Sequence, residues 1–146
     1  MIILPSGGRV SRYTPVYPGS NFTWGEVTKN GTRAIRSLYI QRKLVVSDAV
    51  IEGKIIATAQ RLDLIRSKLG DQPIYINSWY RPAHVNHRVG GSLWSRHQYG
   101  DGVDIRSNKL SPREIYQQIE PYHDAGGISC YDTFVHIDWR GHKARW

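Results

Sequence analysis

Residues 95–104, Ser-Arg-His-Gln-Tyr-Gly-Asp-Gly-Val-Asp, place two metal-binding residue types, His97 and Asp104, seven positions apart. A second imidazole, His136, follows in the apolar run 134–138, Phe-Val-His-Ile-Asp. Two imidazoles and one carboxylate form a donor set suited to zinc. Three protein ligands leave one coordination position open for water, as in a catalytic rather than a structural zinc site. The pattern therefore predicts a zinc centre and hydrolytic chemistry.

Glycines in the first stretch favour the convergence of its two ligands. Gly100 and Gly102 permit a tight backbone turn, so that both side chains can approach one ion. The third ligand comes from a distant strand, predicted over residues 133–139, which would fix the ion against a sheet. On that strand His136 and Asp138 are two residues apart and share a face.

The size and composition of the chain fit one domain with one core. It has 146 residues, of which 40% are hydrophobic. Residues 1–21 are rich in Gly, Pro, Ser and Tyr and are predicted to form an irregular N-terminal arm, whereas residues 22–146 form a single domain. Cys130 is the only cysteine, which excludes an internal disulfide and argues against a cysteine-based zinc site.

The predicted elements indicate an α+β fold. A long helix is expected to begin after the N-cap Ser47 and to stop at Gly70. Five apolar residues and Thr58 recur at helical spacing and are expected to face the core; they are Ile51, Ile55, Thr58, Leu62, Ile65 and Leu69. The other predicted elements are strands over 73–79, 102–106, 127–130 and 133–139, a loop over 80–96 and a helix over 112–119. Together they predict a small antiparallel sheet with flanking helices.

The charge of the chain bears on its partners. A net charge of +8 and a pI of about 9.8 favour a polyanionic partner, such as nucleic acid, an anionic membrane surface or a bacterial wall polymer. The basic residues are scattered and no nucleic-acid motif is present, so no nucleic-acid partner is predicted. The apolar stretches are too short for membrane insertion, and the first residues lack the basic start of a signal peptide. We therefore expect synthesis in the cytoplasm.

The residues around the predicted ligands resemble the signature of a known family. Ser95, His97, Gly100, Gly102 and Asp104 resemble the Ser-x-His-x-x-Gly-x-Ala-x-Asp pattern of the D-Ala-D-Ala carboxypeptidase and endolysin group of zinc peptidases, family M15. Gly102 stands where Ala is usual. The pattern is specific because it combines two ligand types with two glycine positions.

Flanking segments extend the resemblance to roughly residues 22–146. Residues 78–82, Ser-Trp-Tyr-Arg-Pro, are similar to an upstream Ser-x-Tyr-Arg segment of the family, and residues 134–138 are similar to the strand that carries its third ligand. The resemblance implies a compact α+β fold shared with Hedgehog-type zinc domains. It also implies a Zn²⁺ cofactor and the cleavage of peptide bonds in peptidoglycan stem peptides.

Three residues are candidates for contacts with a substrate. Arg81 is expected either to stabilise the negative charge that develops on the attacked carbonyl or to hold a substrate carboxylate through its planar fork. Ser95 is a candidate to bind substrate or to orient a ligand. Tyr80 is a candidate to line the cleft.

The general base is left open between two carboxylates. Many family members place Glu or Asp three residues before the third ligand, a position that Thr133 holds here. Asp132 lies one residue further back, at the turn that enters the strand. Asp138 shares the face of His136 and has the alternative role of orienting that ligand. The catalytic candidates are therefore Asp138 and Asp132, together with Arg81.

Two functions from different classes agree with these features. The first is a zinc metallopeptidase acting on peptidoglycan stem peptides, as a D-Ala-D-Ala carboxypeptidase or an endolysin-type endopeptidase. The predicted lack of a signal peptide suits a phage protein that reaches the cell wall through a holin or within a virion, with virion proteins as partners. The alternative is a non-catalytic phage structural or wall-binding module that retains the fold, which the displaced base position favours.

Overall fold

Helices and short strands are interspersed along the chain, as in an α+β fold, and that predicted class is confirmed. The computed structural model describes residues 1–146. The helices are α1 (Trp24–Thr28), α2 (Asp48–Lys68), α3 (Ala83–Arg88) and α4 (Pro112–Ile119). The strands are β1 (Ile2–Ile3), β2 (Arg9–Val10), β3 (Leu38–Ile40), β4 (Lys43–Val46), β5 (Tyr75–Ser78), β6 (Gly102–Arg106), β7 (Gly127–Cys130), β8 (Val135–Asp138) and β9 (Ala144–Arg145). Two 3₁₀ turns cover Arg96–Tyr99 and Glu120–Tyr122.

A five-stranded sheet in the order β5-β6-β8-β7-β9 forms the centre of the fold. Its first four strands pair antiparallel, as predicted, while β9 runs parallel to β7 at the edge. In the β6–β8 register, Asp104 lies opposite His136. Directly opposed residues have their Cβ atoms about 4.5–5.5 Å apart. The sheet alone therefore brings two of the predicted ligands together.

Helix α2 packs along the core, as its periodicity predicts. The Ser47 hydroxyl caps its start by accepting a hydrogen bond from the Val50 N–H, and Gly70 follows its end with a φ of +86°. All six residues of the predicted apolar stripe are buried. Neither α2 nor any other helix has the length and hydropathy required to cross a membrane.

Most of segment 1–21 lacks regular structure, yet it contributes to the core. Strands β1 and β2 pair antiparallel. The side chains of Ile2, Leu4 and Val16 are buried in the same cluster as those of α2. The segment is also tied to α2 through Asp63, which accepts hydrogen bonds from the Tyr17 hydroxyl and from residues 20–21.

Three predicted elements differ from the structure. The predicted loop 80–96 contains α3, which begins after Pro82 and buries Val85 at 3% exposure. Pro82 is the N-cap residue of α3, and its carbonyl accepts the first hydrogen bonds of the helix from the N–H groups of Val85 and Asn86, so a helix begins where proline and glycine predict a loop. The strands predicted over 73–79 and 133–139 are shorter, at Tyr75–Ser78 and Val135–Asp138, because the sheet pairing ends there.

Candidate metal centre

The structure brings the three predicted ligands together in a buried cluster. His97 lies on the 3₁₀ turn before β6, Asp104 on β6 and His136 on β8. Asp104 Oδ1 is 3.2 Å from His97 Nε2 and 3.0 Å from His136 Nδ1. Two donors bound tetrahedrally at zinc distances of about 2.0–2.1 Å would be separated by about 3.3 Å. Asp104 Oδ1 therefore lies at about this spacing from each imidazole nitrogen, and the three ligand atoms all lie within 4.8 Å of one another.

The turn that carries His97 is fixed by local contacts on both sides. The Ser95 hydroxyl accepts a hydrogen bond from the His97 N–H. Gly100 ends the turn with a φ of +82°, and a Cβ atom at this position would lie 2.7 Å from Ile55 of α2. The Trp79 indole N–H donates to the Gly100 carbonyl at 2.9 Å. Only glycine allows the turn to lie this close to the helix while its backbone is left-handed.

Neighbours outside the cluster determine which nitrogen of each ring is free. His97 Nδ1 is 2.7 Å from the Trp79 carbonyl, which can only accept, so Nδ1 carries the hydrogen. His136 Nε2 is 2.9 Å from the Asp138 carboxylate, so Nε2 carries the hydrogen there. The unprotonated nitrogens, His97 Nε2 and His136 Nδ1, then face Asp104. Three lone pairs converge, and a cation between them would relieve their repulsion. The donor set therefore fits a zinc ion.

The electrostatics of the cluster also favour a cation. Burial opposes ionisation of Asp104, but the neighbouring imidazoles of His136 and His97 outweigh it and hold the Asp104 pKa well below its usual range. Burial would lower the pKa of His136, but the carboxylates of Asp104 and Asp138 outweigh it and raise the pKa above its ordinary value. The field that favours a proton on His136 favours a divalent metal ion in the same place.

The structure places Asp138 behind His136 rather than in the open site. Its side chain is 0% exposed and accepts hydrogen bonds from the Gly127 N–H, from Arg140 and from His136. Burial raises the pKa of Asp138, but the hydrogen bonds from Arg140 and His136 lower it by more. The net pKa is below the ordinary value, so the carboxylate stays ionised. With both oxygens occupied, Asp138 is placed to orient the ring of His136.

Asp132, the second candidate base, is exposed on the turn between β7 and β8. Its side chain forms no hydrogen bond in the structure and does not line the metal cavity, although Tyr131 and Phe134 of the same turn do. Among the residues that line the cavity, Asp104 is the only carboxylate. The structure therefore places neither candidate base in the metal cavity: Asp138 contacts His136 from behind, and Asp132 lies on the exposed turn.

A cavity of about 490 Å³ opens onto the three ligands. Three cationic side chains line it, Arg81, Arg96 and Arg140. Four aromatic side chains complete the wall: Trp94, Tyr131, Phe134 and Trp146. A cavity with positive charge and flat apolar surfaces suits a substrate that combines carboxylates with small apolar side chains.

The predicted substrate-binding residues take different positions. Arg81 lines the cavity, donates from Nε to the Ser78 hydroxyl at 3.2 Å, and lies 3.6 Å from the second oxygen of Asp104. Ser95 lines the cavity while it caps the His97 turn. Tyr80 does not line the cavity. It is 1% exposed, and its hydroxyl accepts a hydrogen bond from the Arg36 N–H, so its ring belongs to the core.

Trp146 is a cavity residue that the motifs do not identify. Strand β9 carries it to the sheet edge, where its ring centroid lies 5.4 Å from that of His136. Its indole N–H donates to the Tyr131 hydroxyl at 3.0 Å. A Cβ atom on Gly127 would lie 2.8 Å from the Trp146 ring, so this glycine makes room for the indole. That glycine is the one sequence signal that could have indicated a close approach here.

Comparison with known proteins agrees with this geometry. The family model described as Peptidase M15 matches residues 24–138, a range that contains all three clustered ligands. Over 60 residues the chain is 37% identical to the zinc D-Ala-D-Ala carboxypeptidase of Streptomyces albus G. That match covers 41% of this chain and 24% of the relative, so the aligned part is about a quarter of the relative's length.

Proposed function

Because this chain belongs to the Peptidase M15 family, we propose that it is a zinc-dependent peptidase that hydrolyses peptide bonds in peptidoglycan stem peptides. One observation carries the proposal. The free nitrogens of His97 and His136 and an oxygen of Asp104 converge at the floor of an open cavity. Three protein ligands with an open side are characteristic of catalytic zinc sites.

The residues of the chain would prepare this centre for hydrolysis. When bound, a zinc ion would supply a Lewis acid that activates water and polarises the scissile carbonyl. The Trp79 carbonyl and the Asp138 carboxylate orient the two imidazoles before any ion arrives. Arg81 is placed beside Asp104 on the cavity wall, where its guanidinium can stabilise negative charge that develops on the substrate.

The proton transfers need a base, and the two candidates differ in their surroundings. The carboxylate of Asp138 is buried and fully paired, which supports a positioning role through His136. Asp132 is exposed and unpaired on the turn whose other residues line the cavity. Its carboxylate has no hydrogen-bond partner that would compete with a water molecule or substrate, so we propose Asp132 as the general base.

The scissile bond is a finer part of the proposal. Arg96 and Arg140 are each paired with a carboxylate, whereas Arg81 lines the cavity with only a 3.6 Å contact to Asp104, so Arg81 supports a substrate with a carboxylate near the bond that is cut. A D-Ala-D-Ala carboxypeptidase meets this condition, and an endolysin-type endopeptidase does so through the side-chain carboxylates of the stem. The resemblance of residues 95–104 to the signature of a group that includes endolysins supports a further proposal, a phage setting with release by a holin or delivery in a virion. The same resemblance supports a fold akin to Hedgehog-type zinc domains.

One observation favours a second candidate, a non-catalytic wall-binding or phage structural module. No carboxylate other than Asp104 lines the cavity, and a module without turnover would need no base. Such a protein would retain the metal site for stability alone.

Mass analysis of stem-peptide products separates these functions. Zinc-loaded protein is incubated with peptidoglycan fragments and with a short synthetic stem peptide, with and without a chelator. We expect cleavage that the chelator abolishes, that added zinc restores, and that His97→Ala lacks. The released fragment identifies the bond. If the folded, zinc-loaded protein cleaves no stem peptide but sediments with cell walls, the module is the correct function.

A further inference from the structure

A second concave surface lies along helix α2, away from the metal cavity. Two adjoining cavities of about 330 and 380 Å³ share Arg61 and Trp139 in their walls. Neither has a lining residue in common with the metal cavity. We call this surface the α2 groove, and its distinctive residues are Lys54, Arg61, Lys68, Tyr122 and Trp139.

Three cations form a row along the α2 groove. Lys54, Arg61 and Lys68 are seven residues apart, and each lines one or both cavities. Seven residues of α-helix advance about 10.5 Å and return to nearly the same direction around the axis. The row therefore spans about 21 Å on one face of the helix.

This positive charge is not neutralised within the groove. Asp101 is the only carboxylate that lines it, and Lys54 lies 3.6 Å from that carboxylate. Asp101 is 2% exposed and is already paired with Arg96 through two hydrogen bonds of 2.9 and 2.6 Å. The Arg61 and Lys68 side chains have no acidic partner within salt-bridge distance. The groove therefore presents an uncompensated positive field to solvent.

Aromatic rings rather than carboxylates hold two of these cations. The Arg61 guanidinium lies 5.7 Å from the centre of the Trp139 ring, and Lys68 Nζ lies 3.1 Å from the centre of the Tyr122 ring. A ring face attracts a cation without using its hydrogen-bond donors. Both cations therefore keep donors available for an anion. The exposed rim, with Leu64 at 72% and Tyr122 at 74%, adds apolar surface beside them.

We propose that the α2 groove binds a flexible phosphodiester polymer attached to the bacterial cell wall. A row of cations at intervals of about 10 Å suits repeated single charges along a chain better than one compact anion. The apolar rim suits the carbon backbone between the charges. Binding here would retain the protein beside its insoluble substrate. This role rests on the proposed function for its setting, although the binding itself requires no catalysis.

Co-sedimentation with cell-wall fragments tests the proposal. The zinc-loaded protein is mixed with walls that carry their phosphodiester polymer and with the same walls after acid extraction of that polymer. The groove variant is Arg61→Gln with Lys68→Gln. The matched control, Arg42→Gln with Lys43→Gln, loses the same charge at the exposed β3–β4 turn. Thermal unfolding establishes that each variant is folded, and Lys68→Gln alone replaces the double variant if it is not.

We expect the wild type and the control to bind intact walls alike, and the groove variant to bind at least 10-fold more weakly. Extracted walls should remove this difference, and added salt should weaken wild-type binding. Equal binding of groove variant and control to intact walls would overturn the proposal. So would binding of the wild type to duplex DNA as tightly as to intact walls, which would assign the groove to nucleic acid.

Cleavage of a soluble stem peptide, measured in parallel, should be unchanged in the groove variant. A protein without any cleavage would disprove the peptidase and leave the binding result valid.

Discussion

At the scale of single residues, a chain of contacts prepares His136 for a metal ion. The Arg140 guanidinium donates two hydrogen bonds to Asp138, and Asp138 in turn accepts from His136 Nε2. The opposite nitrogen of the ring then faces Asp104. Each link fixes the orientation of the next, so the ligand geometry depends on residues that never touch the ion.

The substitution Asp138→Asn tests this link. An amide in place of the carboxylate weakens the bonds from Arg140 and no longer fixes the His136 tautomer. We expect zinc affinity to fall about 10- to 100-fold, as measured by competition with a chromogenic chelator. An unchanged affinity in a folded Asp138→Asn protein would contradict the positioning role.

The substitution Asp132→Asn tests the proposed base. Asp132 is exposed and contacts none of the ligands, so zinc affinity and stability should not change. If Asp132 transfers the proton, kcat should fall about 10²- to 10⁴-fold with little change in KM. Steady-state kinetics on a stem peptide measure both constants. A kcat within threefold of the wild type would show that another group is the base.

The ligands could be predicted from the sequence, whereas the neighbours of the ligands could not. His97, Asp104 and His136 combine rare donor types in a specific pattern. The direction of an aromatic side chain has no such signal. Tyr80 stands in a motif segment but points into the core, because its partner is the backbone of Arg36, for which no pattern exists.

At the scale of elements, the turn that carries His97 depends on its contact with α2. Gly100 combines a left-handed backbone with a position at which an added Cβ would lie 2.7 Å from Ile55. The position of one ligand is therefore coupled to the packing of the longest helix.

We expect Gly100→Ala to destabilise the fold and to weaken zinc binding together. A left-handed backbone costs a non-glycine residue about 1–2 kcal/mol, and the added methyl group would also overlap Ile55. The matched control is Gly70→Ala, where φ is +86° and no atom lies within 4 Å of the added Cβ. Urea unfolding should show a larger loss for Gly100→Ala. Equal losses would show that the contact with α2 contributes nothing.

Asp63 should make the attachment of segment 1–21 to α2 dependent on pH. Burial raises its pKa, but hydrogen bonds from Tyr17, Ser20 and Asn21 lower it below the ordinary value. A carboxylate with a depressed pKa stabilises the fold above its unfolded pKa near 4, and this contribution is lost as the pH falls below that value.

The substitution Asp63→Asn measures that contribution. We expect a loss of about 1–3 kcal/mol in unfolding free energy at pH 7. The difference from the wild type should shrink as the pH falls from 5 towards 2, because the wild-type carboxyl then becomes neutral as well. Chemical denaturation across this range gives the difference, and a gap independent of pH would contradict the role of the charge.

Elements with a periodic apolar pattern could be predicted from the sequence, whereas elements that depend on non-glycine residues with positive φ could not. Helix α2 and its C-cap Leu69 carry six buried residues at helical spacing, five of them apolar, between a cap and a glycine. The β3–β4 hairpin has no such signal, because Gln41 and Arg42 form its turn with φ of 52° and 67°. Asn and Gly are the usual residues for such a turn, so their absence conceals the hairpin.

At the scale of the whole molecule, the cluster of three ligands joins separate parts of the chain. His97 and Asp104 precede α4, while His136 follows it, and β6 and β8 hold them together. A bound ion would therefore crosslink the centre of the fold. Its binding free energy adds to the stability of the native state.

Removal of zinc should lower the melting temperature. At a free zinc concentration of 100 times Kd, the folded state gains about 2.7 kcal/mol. For a domain of this size the gain corresponds to about 5–10 °C. Differential scanning calorimetry with and without a chelator gives the shift. His97→Ala should show no shift, and a wild-type melting temperature insensitive to the chelator would contradict the metal centre.

The complete strand order of the sheet could not be predicted from sequence patterns. The antiparallel pairs follow from alternating apolar residues, but β9 has only two residues and no such pattern. Its parallel pairing with β7 nevertheless brings Trp146 to the cavity. Long-range pairing of so short a strand is decided by packing that local sequence does not encode.

The Trp79 carbonyl and the Asp138 carboxylate fix the orientation of both imidazoles before a metal ion binds. The structure therefore determines where an ion binds more strictly than which ion binds. Cobalt(II) accepts the same nitrogen and oxygen donors in a similar geometry. Exchange of the metal would turn a colourless protein into one with visible absorption bands. Titration of stem peptides could then be followed in the spectrometer, through the electronic transitions of the substituted centre.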